Sequence, residues 1–539
     1  MRKSAFTIIL LGGIVLFTGA ATATERHVPS GYPTIQAAIN ACSSGDRVLV
    51  ADGVYTGTGN RDIDFMGKAI TVKSENGSES CIIDCEGTYV NNHRGFYFRN
   101  GESRSSVLEG FTITNGYVVV MCEAGAGIYI SGASPTIRGC IIINNYAELE
   151  MGSLCYCYGG GIYIGWESNP LITDCVISDN STDGSWGMGG GIYCEVSEFT
   201  LRNSIISNNT AAEGGGICCA YGNSTIDNCT IADNLPGGIL LRTYDESPIT
   251  TIANSIIWGN SPNQIYANDI TKILTTYSDI SGGWTGTGNI NIDPCFANPG
   301  SGDYHLRSQA GRWEPNNWVT DAVTSPCIDA GDPNSDWTAE LWPHGKRINM
   351  GAYGGTPEAS MSLSTVGNIA NLDNDPCDTV DFNDLKLFVG KWLDEEVLLP
   401  EDLDRNGTVN FVDYAIFAQQ WLSTSAEPGI EYQISSCEGM GMSSLGVGLL
   451  DETRFTVTVE GRYIHFEDTM SANCCAKKLW LDMTVTGNLI TINENESGGY
   501  CYCTCNYPVT ATLGPFEPGT YTLRVYNHSL IGSTTVVIE

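Results

Sequence analysis

From Gly125 to Asn260, apolar residues come in runs of three to five, alternate with polar ones, and are separated by Gly, Asn and Asp. This pattern predicts short strands, and no helical spacing occurs within it. Two phrases recur five times. One is glycine-rich and then apolar, as in Gly159-Gly160-Gly161-Ile162-Tyr163; the other ends in asparagine, as in Cys175-Val176-Ile177-Ser178-Asp179-Asn180. From Ile128 to Ile239 the glycine phrase returns after 34, 30, 25 and 22 residues. A unit of that size buries its apolar side only by stacking on its neighbours, so the pattern predicts a solenoid of parallel strands, a parallel β-helix. Alternation turns Ile162 and Ile164 inward and Tyr163 outward. Asp174, Asn203, Asn228 and Asn254 share one position before an inward Cys or Ser, which predicts a left-handed corner repeated coil after coil.

The flanks read differently. Residues 1–23 carry Arg2 and Lys3, an apolar run from Ala5 to Phe17 and a small-residue site at Ala21-Thr22-Ala23, the pattern of a secretory signal; the run is too short to span a membrane. Ile35 and Ile39, four apart, predict a short helix capping the open end of the solenoid. The solenoid is expected over residues 26–354. Linkers at Thr356–Val366 and Ser423–Gly429 set off a module at 366–423 and a strand-rich segment at 430–539, whose alternating runs predict a β-sandwich.

The glycine and asparagine phrases, with Asp293-Pro294-Cys295-Phe296, Ser325-Pro326-Cys327-Ile328-Asp329-Ala330-Gly331 and Gly351-Ala352-Tyr353-Gly354, make the chain resemble the right-handed parallel β-helix superfamily of pectate lyases and polygalacturonases. It is similar more closely to bacterial β-helix repeat proteins whose glycine-rich and Ile/Phe-x-x-Asn phrases resemble those of chlamydial polymorphic outer-membrane proteins. The resemblance implies an all-β, single-stranded right-handed parallel β-helix. It transfers no catalytic set: the polygalacturonase phrases have no complete counterpart, Arg347-Ile348-Asn349 being the nearest, and the pectate lyase phrases are absent. The fold hosts lyases, hydrolases and non-catalytic adhesins alike.

Candidate chemistry follows from the coil register. The linker before each glycine phrase shrinks from Tyr146–Tyr158 to Ser181–Met188, Thr210–Glu213 and finally Leu235-Pro236. Insertions at one corner stack into a wall beside a binding face. On the strand that follows, Tyr129, Tyr163 and Tyr193 share one outward register, with Trp166 at its end and Trp186 in an inserted loop. Such rings suit the C–H faces of sugars, and they equally suit a stack that only shields the sheet. Glu195 paired with Glu167 or Asp183 would supply an acid and a base if their spacing fell in the glycosidase range, and Arg242 the basic residue of an elimination.

The sharpest motif lies in the module. Asp402, Asp404, Asn406, Thr408 (through its carbonyl) and Asp413, with Gly407 at the sixth position, form the oxygen-ligand pattern of a calcium loop. An earlier copy offers Asp373, Asp375, Thr379 and Asp384, with Cys377 and Asp378 replacing a ligand and the glycine. Helices are expected at Leu385–Leu393 and Tyr414–Leu422. Two calcium loops, each followed by one helix, resemble a type I dockerin, which implies calcium as cofactor and a cohesin-type scaffold protein as partner of residues 366–423.

Charge narrows the partners. With 26 basic and 61 acidic residues the net charge is −35, which argues against nucleic acid and against an anionic membrane surface. The 21 cysteines are read within the solenoid as inward rows, Cys140, Cys175 and Cys229 in one and Cys194 and Cys219 in another, needing no bond. Cys437, Cys474, Cys475, Cys501, Cys503 and Cys505 suggest disulfides first and a zinc cluster second. Two functions stay open: a secreted polysaccharide lyase or O-glycosyl hydrolase, or a non-catalytic, surface-attached glycan-binding adhesin.

Overall fold

Thr136–Arg138, Ile141–Ile143 and Ile162–Gly165 show how one coil is built. Each strand is three or four residues long and turns Ile137, Ile142, Ile162 and Ile164 into a fully buried core. The next coil repeats the arrangement in parallel register, placing Ile172 beside Ile137, Ile177 beside Ile142 and Ile192 beside Ile162. Stacking gives three parallel sheets of ten, nine and eight strands around one apolar core running from Val28 to Ile280. Residues 25–280 therefore form a parallel β-helix, as the apolar alternation predicts.

The computed structural model describes residues 23–120, 125–150, 157–183, 187–242, 249–315, 317–364, 368–373, 380–395 and 398–421; in the C-terminal segment it describes 429–434, 440–442, 455–460, 462–473, 476–486, 488–498, 503–516, 519–527 and 529–538. The signal-like residues 1–22, Trp186, Asp375, Thr379 and Cys377 lie outside them.

Two corners are left-handed. Asp174, Asn203, Asn228 and Asn254 have φ of 55°, 43°, 47° and 50°, as expected. A second set, Asn144, Asp179, Asn208 and Asp233, has φ of 53–57° and precedes the buried Asn145, Asn180, Asn209 and Asn234. The glycine phrase has a steric cause: a Cβ on Gly161 would lie 2.7 Å from the Gly191 carbonyl oxygen of the next coil.

The N-terminal end is closed by α1 (Ile35–Ala41). Its Thr34 cap accepts a hydrogen bond from Ala37 N at 3.2 Å, and Ile35, Ala38 and Ile39 cover the core. The coils stop at Asp279–Ile280, short of Gly354. Residues from Phe296 onward instead run back over the nine-stranded sheet, packing Phe296, Tyr304, Met350 and Ala352 on Ile205, Ala232 and Ile256. Asn228 Nδ2 donates to Asn349 O at 3.0 Å and Ala352 N to Thr230 Oγ1 at 3.1 Å, so one outer face of the solenoid is covered by its own chain. Cys140, Cys175, Cys194, Cys219 and Cys229 are buried free thiols.

The chain divides into two compact units, the first running to Thr365 with residues 397–399, the second taking Val366–Glu396 and Pro400–Glu539. In the second unit α2 (Phe382–Gly390) and α3 (Phe411–Gln419) each follow an acidic loop. Both begin three residues earlier than expected, because Asp381 and Asn410 form capping boxes with Asp384 and Asp413 and so start the helix inside the loop. Further on, a five-stranded and a four-stranded sheet share a core that includes Phe466, Leu513, Ile490 and Leu523. The side chains of the six cysteines in this segment lie outside the described residues.

Candidate functional site

The outward row of the eight-stranded sheet runs Tyr97, Tyr129, Tyr163, Tyr193, Cys218, Leu240 and Tyr266, one residue per coil. Its rings stack: Tyr129 on Tyr163 at 5.2 Å and Tyr163 on Tyr193 at 6.1 Å between centroids. The expectation of a solvent-facing ladder needs correction. Tyr163 is 0% and Tyr193 3% exposed, and Tyr129 is half-buried. The described ends of the inserted loops, expected to wall the face, lie over it instead. Tyr158 stacks on Tyr193 at 4.2 Å, and Met188 is buried in the same cluster. Arg94, almost wholly buried, lies over both the Tyr97 and Tyr129 rings at 4.8 and 5.1 Å. These rings form a second core outside the first, and no ring face of Tyr163 or Tyr193 is open to a polymer.

The row emerges where the loops shorten. Beyond Leu235-Pro236, Tyr266 is 56% exposed and borders a groove of about 510 Å³ that also contains Arg242, Glu213, Asn263 and Asn268. Arg242 does not stand as a lone base: its guanidinium is ion-paired with the Glu213 carboxylate across the groove. Glu213 and Tyr266 escaped the sequence reading. Glu213 is the last residue of a linker, and the signal for Tyr266 was its place in the tyrosine register.

Glu195 and Glu167 lie on adjacent coils, Glu167 N donating to Val196 O at 3.1 Å, but Glu195 is not among the residues that line the groove Glu167 borders. Glu195 lies on the sheet between Gly165 and Ala220 and half-buried, whereas Glu167 stands exposed at the corner beyond it. There, with Glu198 and Asn223, it borders a separate groove of about 340 Å³. Trp166, at the same corner, is 62% exposed.

In the acidic loop before α3, carboxylate oxygens of Asp402, Asp404 and Asp413 lie within 4.8 Å of one another. Backbone N–H groups set the loop: Gly407 N donates to Asp402 Oδ2 at 2.7 Å, Thr408 N to Asn406 Oδ1 at 3.0 Å, and Asn410 N to Asp413 Oδ2 at 2.8 Å. Gly407 takes φ of 87°, the sharp turn such a loop requires. Asp402 and Asp413 are buried, and burial, then the charge of Asp413, raises the Asp402 pKa. Three converging hard oxygen donors of like charge fit a divalent cation of the calcium type. In the earlier loop Asp384 accepts from Leu372 N at 2.6 Å, Asp373 N at 3.0 Å and Asp381 N at 2.8 Å. Around the helices Phe388 stacks on Phe417 at 5.2 Å. Phe382 and Phe411 meet Trp421 and Trp392 edge-on, although each phenylalanine is 76% exposed.

Residues 50–248 match the family model described as right handed beta helix region, and residues 271–331 the one described as disaggregatase related. The first match and the three parallel sheets together define a right-handed parallel β-helix. Among solved structures the chain is similar to pectate lyase Pel9A, with 15% identity over 61% of this chain and 95% of that one and a TM-score of 0.30, a likeness too slight to carry chemistry across. No curated protein matches the chain.

Proposed function

We propose that this is an exported, calcium-binding β-helix protein that binds polysaccharide in the groove at the end of the eight-stranded sheet. The observation that carries this reading is the emergence of the aromatic row at Tyr266 beside the Arg242–Glu213 ion pair, in the one stretch of that row where the covering loops shrink to two residues. An exposed ring with fixed charged and amide groups around it suits a sugar face and its hydroxyls. Residues 366–423 would hold calcium through Asp402, Asp404, Asn406, Thr408 and Asp413 and dock a cohesin-type scaffold protein. The paired exposed Phe382 and Phe411 support such a docking role. The leader at residues 1–23 would place the protein outside the cell, free or attached to the surface.

Binding without turnover is favoured over a lyase or glycosidase, because Arg242 is already paired and Glu195 does not line the groove that Glu167 borders. The purified protein should be screened against neutral and acidic polysaccharides, with and without calcium, following binding, reducing ends and unsaturated products. Binding without product is expected. Product formation would establish the enzyme reading in its place, and neither binding nor product would remove polysaccharide altogether.

A further inference from the structure

One residue past the strands of the eight-stranded sheet, three successive coils turn a corner through Trp166, Val196 and Tyr221. Gly165, Glu195 and Ala220 are register partners, so the three residues that follow them form a column along the solenoid. All three adopt left-handed backbone, with φ of 54°, 47° and 63°. One coil earlier the same corner is held by Gly132 at φ of 62°, the residue type this conformation favours. Side chains that resist the conformation, the β-branched Val196 above all, are nonetheless placed here and left exposed at 62%, 48% and 44%. Neighbouring coils lie about 4.8 Å apart, so the Trp166 and Tyr221 positions are separated by about 10 Å. That spacing is close to two pyranose residues of an extended chain.

The groove of about 340 Å³ beside the column supplies fixed polar groups. Glu198 accepts from Asn169 Nδ2 at 3.3 Å and from Asn223 Nδ2 at 3.0 Å, tying three coils together, and Arg104 donates to Asn169 Oδ1 at 2.8 Å. The Gly222 backbone packs so closely that a Cβ there would lie 1.5 Å from Ser197 O, which keeps this part of the groove clear of a side chain. Glu167 and Glu198 are both exposed in the groove, and the whole chain carries a charge of −35, so a polyuronate would be repelled. Neutral hydroxyls are what two carboxylates and two amides accept and donate to.

We infer that the Trp166–Val196–Tyr221 corner is a second binding surface, taking a neutral, extended pyranoside chain along the solenoid with rings on Trp166 and Tyr221 and hydroxyls on Glu167, Glu198 and Asn223. The inference rests on the polysaccharide reading and assigns it a place and a substrate class distinct from the Arg242 groove.

Titration calorimetry of the full chain with cellohexaose, xylohexaose, mannohexaose and hexagalacturonate tests it. Wild type should bind at least one neutral hexasaccharide, and the double variant Trp166→Gly/Tyr221→Gly should bind it at least about tenfold more weakly, the loss of two ring faces. Glycine suits both φ values, so the variant should melt no lower than wild type, and weakened binding cannot be laid to misfolding. Trp166→Tyr, which keeps a ring, should retain affinity within about threefold. Unchanged binding by the double variant would overturn the corner site while leaving the polysaccharide reading intact, as would binding of hexagalacturonate alone. No binding of any of the four by wild type would remove both.

Discussion

Asn180 Nδ2 donates to Asn209 Oδ1 at 3.1 Å, and Asn180 N donates to the same oxygen at 3.0 Å. The relation repeats from Asn145 through Asn234 to Asn260, where Gln264 Oε1 accepts the last amide at 2.9 Å. Each amide also caps a strand carbonyl of the previous coil, as Asn209 does Ile177 O at 2.8 Å. Each Asn thus satisfies donors and acceptors that a sharp, dry corner would otherwise strand.

Asn209→Ala should therefore cost roughly 3 kcal/mol, since it leaves Asn180 N, Asn180 Nδ2 and Ile177 O without their partner in a water-free corner. Asn209→Asp should cost more at neutral pH, because a carboxylate in that place meets two oxygens, Ile177 O and Asn234 Oδ1. Denaturant unfolding followed by far-UV circular dichroism measures both. A loss below about 1 kcal/mol for the alanine variant would mean that water replaces the amide.

Tyr163 distinguishes a buried stack from a sugar platform. Packed between Tyr129 and Tyr193 and wholly buried, it should cost about 3–5 kcal/mol when replaced by alanine, the range for emptying an aromatic core position. Oligosaccharide affinity, measured where the variant is still folded, should stay within about twofold of wild type, since no ligand reaches the ring. A selective loss of affinity with unchanged stability would restore the ladder as the binding face.

The residues differ in how legibly they announced these roles. Period-two alternation fixes which side chain faces the core, so Ile162, Ile164 and the Cys140–Cys175 row could be placed from sequence alone, and the left-handed preference of Asn and Asp located the Asp174 corner. Outward from the core is a different property from outward to solvent. What lies over Tyr163 depends on how Tyr158 and Met188 return across the sheet, and loop paths carry no period. The Arg242–Glu213 pair was hidden for the same reason, since Glu213 belongs to a linker. The cover from Phe296 onward has no repeat to betray that it runs back along the nine-stranded sheet. The Trp166, Val196 and Tyr221 corner was obscured because none of the three favours left-handed backbone. The convergence of Asp402, Asp404 and Asp413 was legible because the three carboxylates are close in sequence.

Calcium should raise the melting temperature of the second unit, and Asp404→Ala should abolish that rise. Asp404 suits the test because it is exposed, whereas Asp413 also caps α3 and would confound folding with binding. At a calcium concentration of about 100 times Kd, the linked stabilisation is about 2.7 kcal/mol, and chelation should remove it. Isothermal titration should show the high-affinity site of the wild type missing in the variant. An unchanged melting temperature with calcium would leave the acidic loop a solvated turn.

Glu340 gives the pH dependence. Its carboxyl is buried and accepts from Asn349 N at 2.7 Å and Gly355 N at 2.8 Å, both at Oε1. Burial pushes its pKa from 4.5 to about 8, with the charge of Asp329 adding to the rise and the two N–H donors opposing it. The folded value lies above the unfolded one, so between pH 4.5 and about 8 the folded chain holds a proton the unfolded chain has lost. Stability from this group is then full below about 4.5 and falls as pH rises through the window, by at most about 1.4 kcal/mol per pH unit. Glu340→Gln keeps an oxygen for both N–H groups and cannot ionise, so its curve should lack this slope. Asp279, raised to about 6 chiefly by burial, adds a slope of the same sign at lower pH. The difference between variant and wild type from pH 6 to 8 therefore isolates Glu340. The two should unfold alike near pH 4.5, and the variant should be the more stable at pH 8. Parallel curves from pH 6 to 8 would show that Glu340 is ionised in the fold, and that Asn349 and Gly355 outweigh its burial.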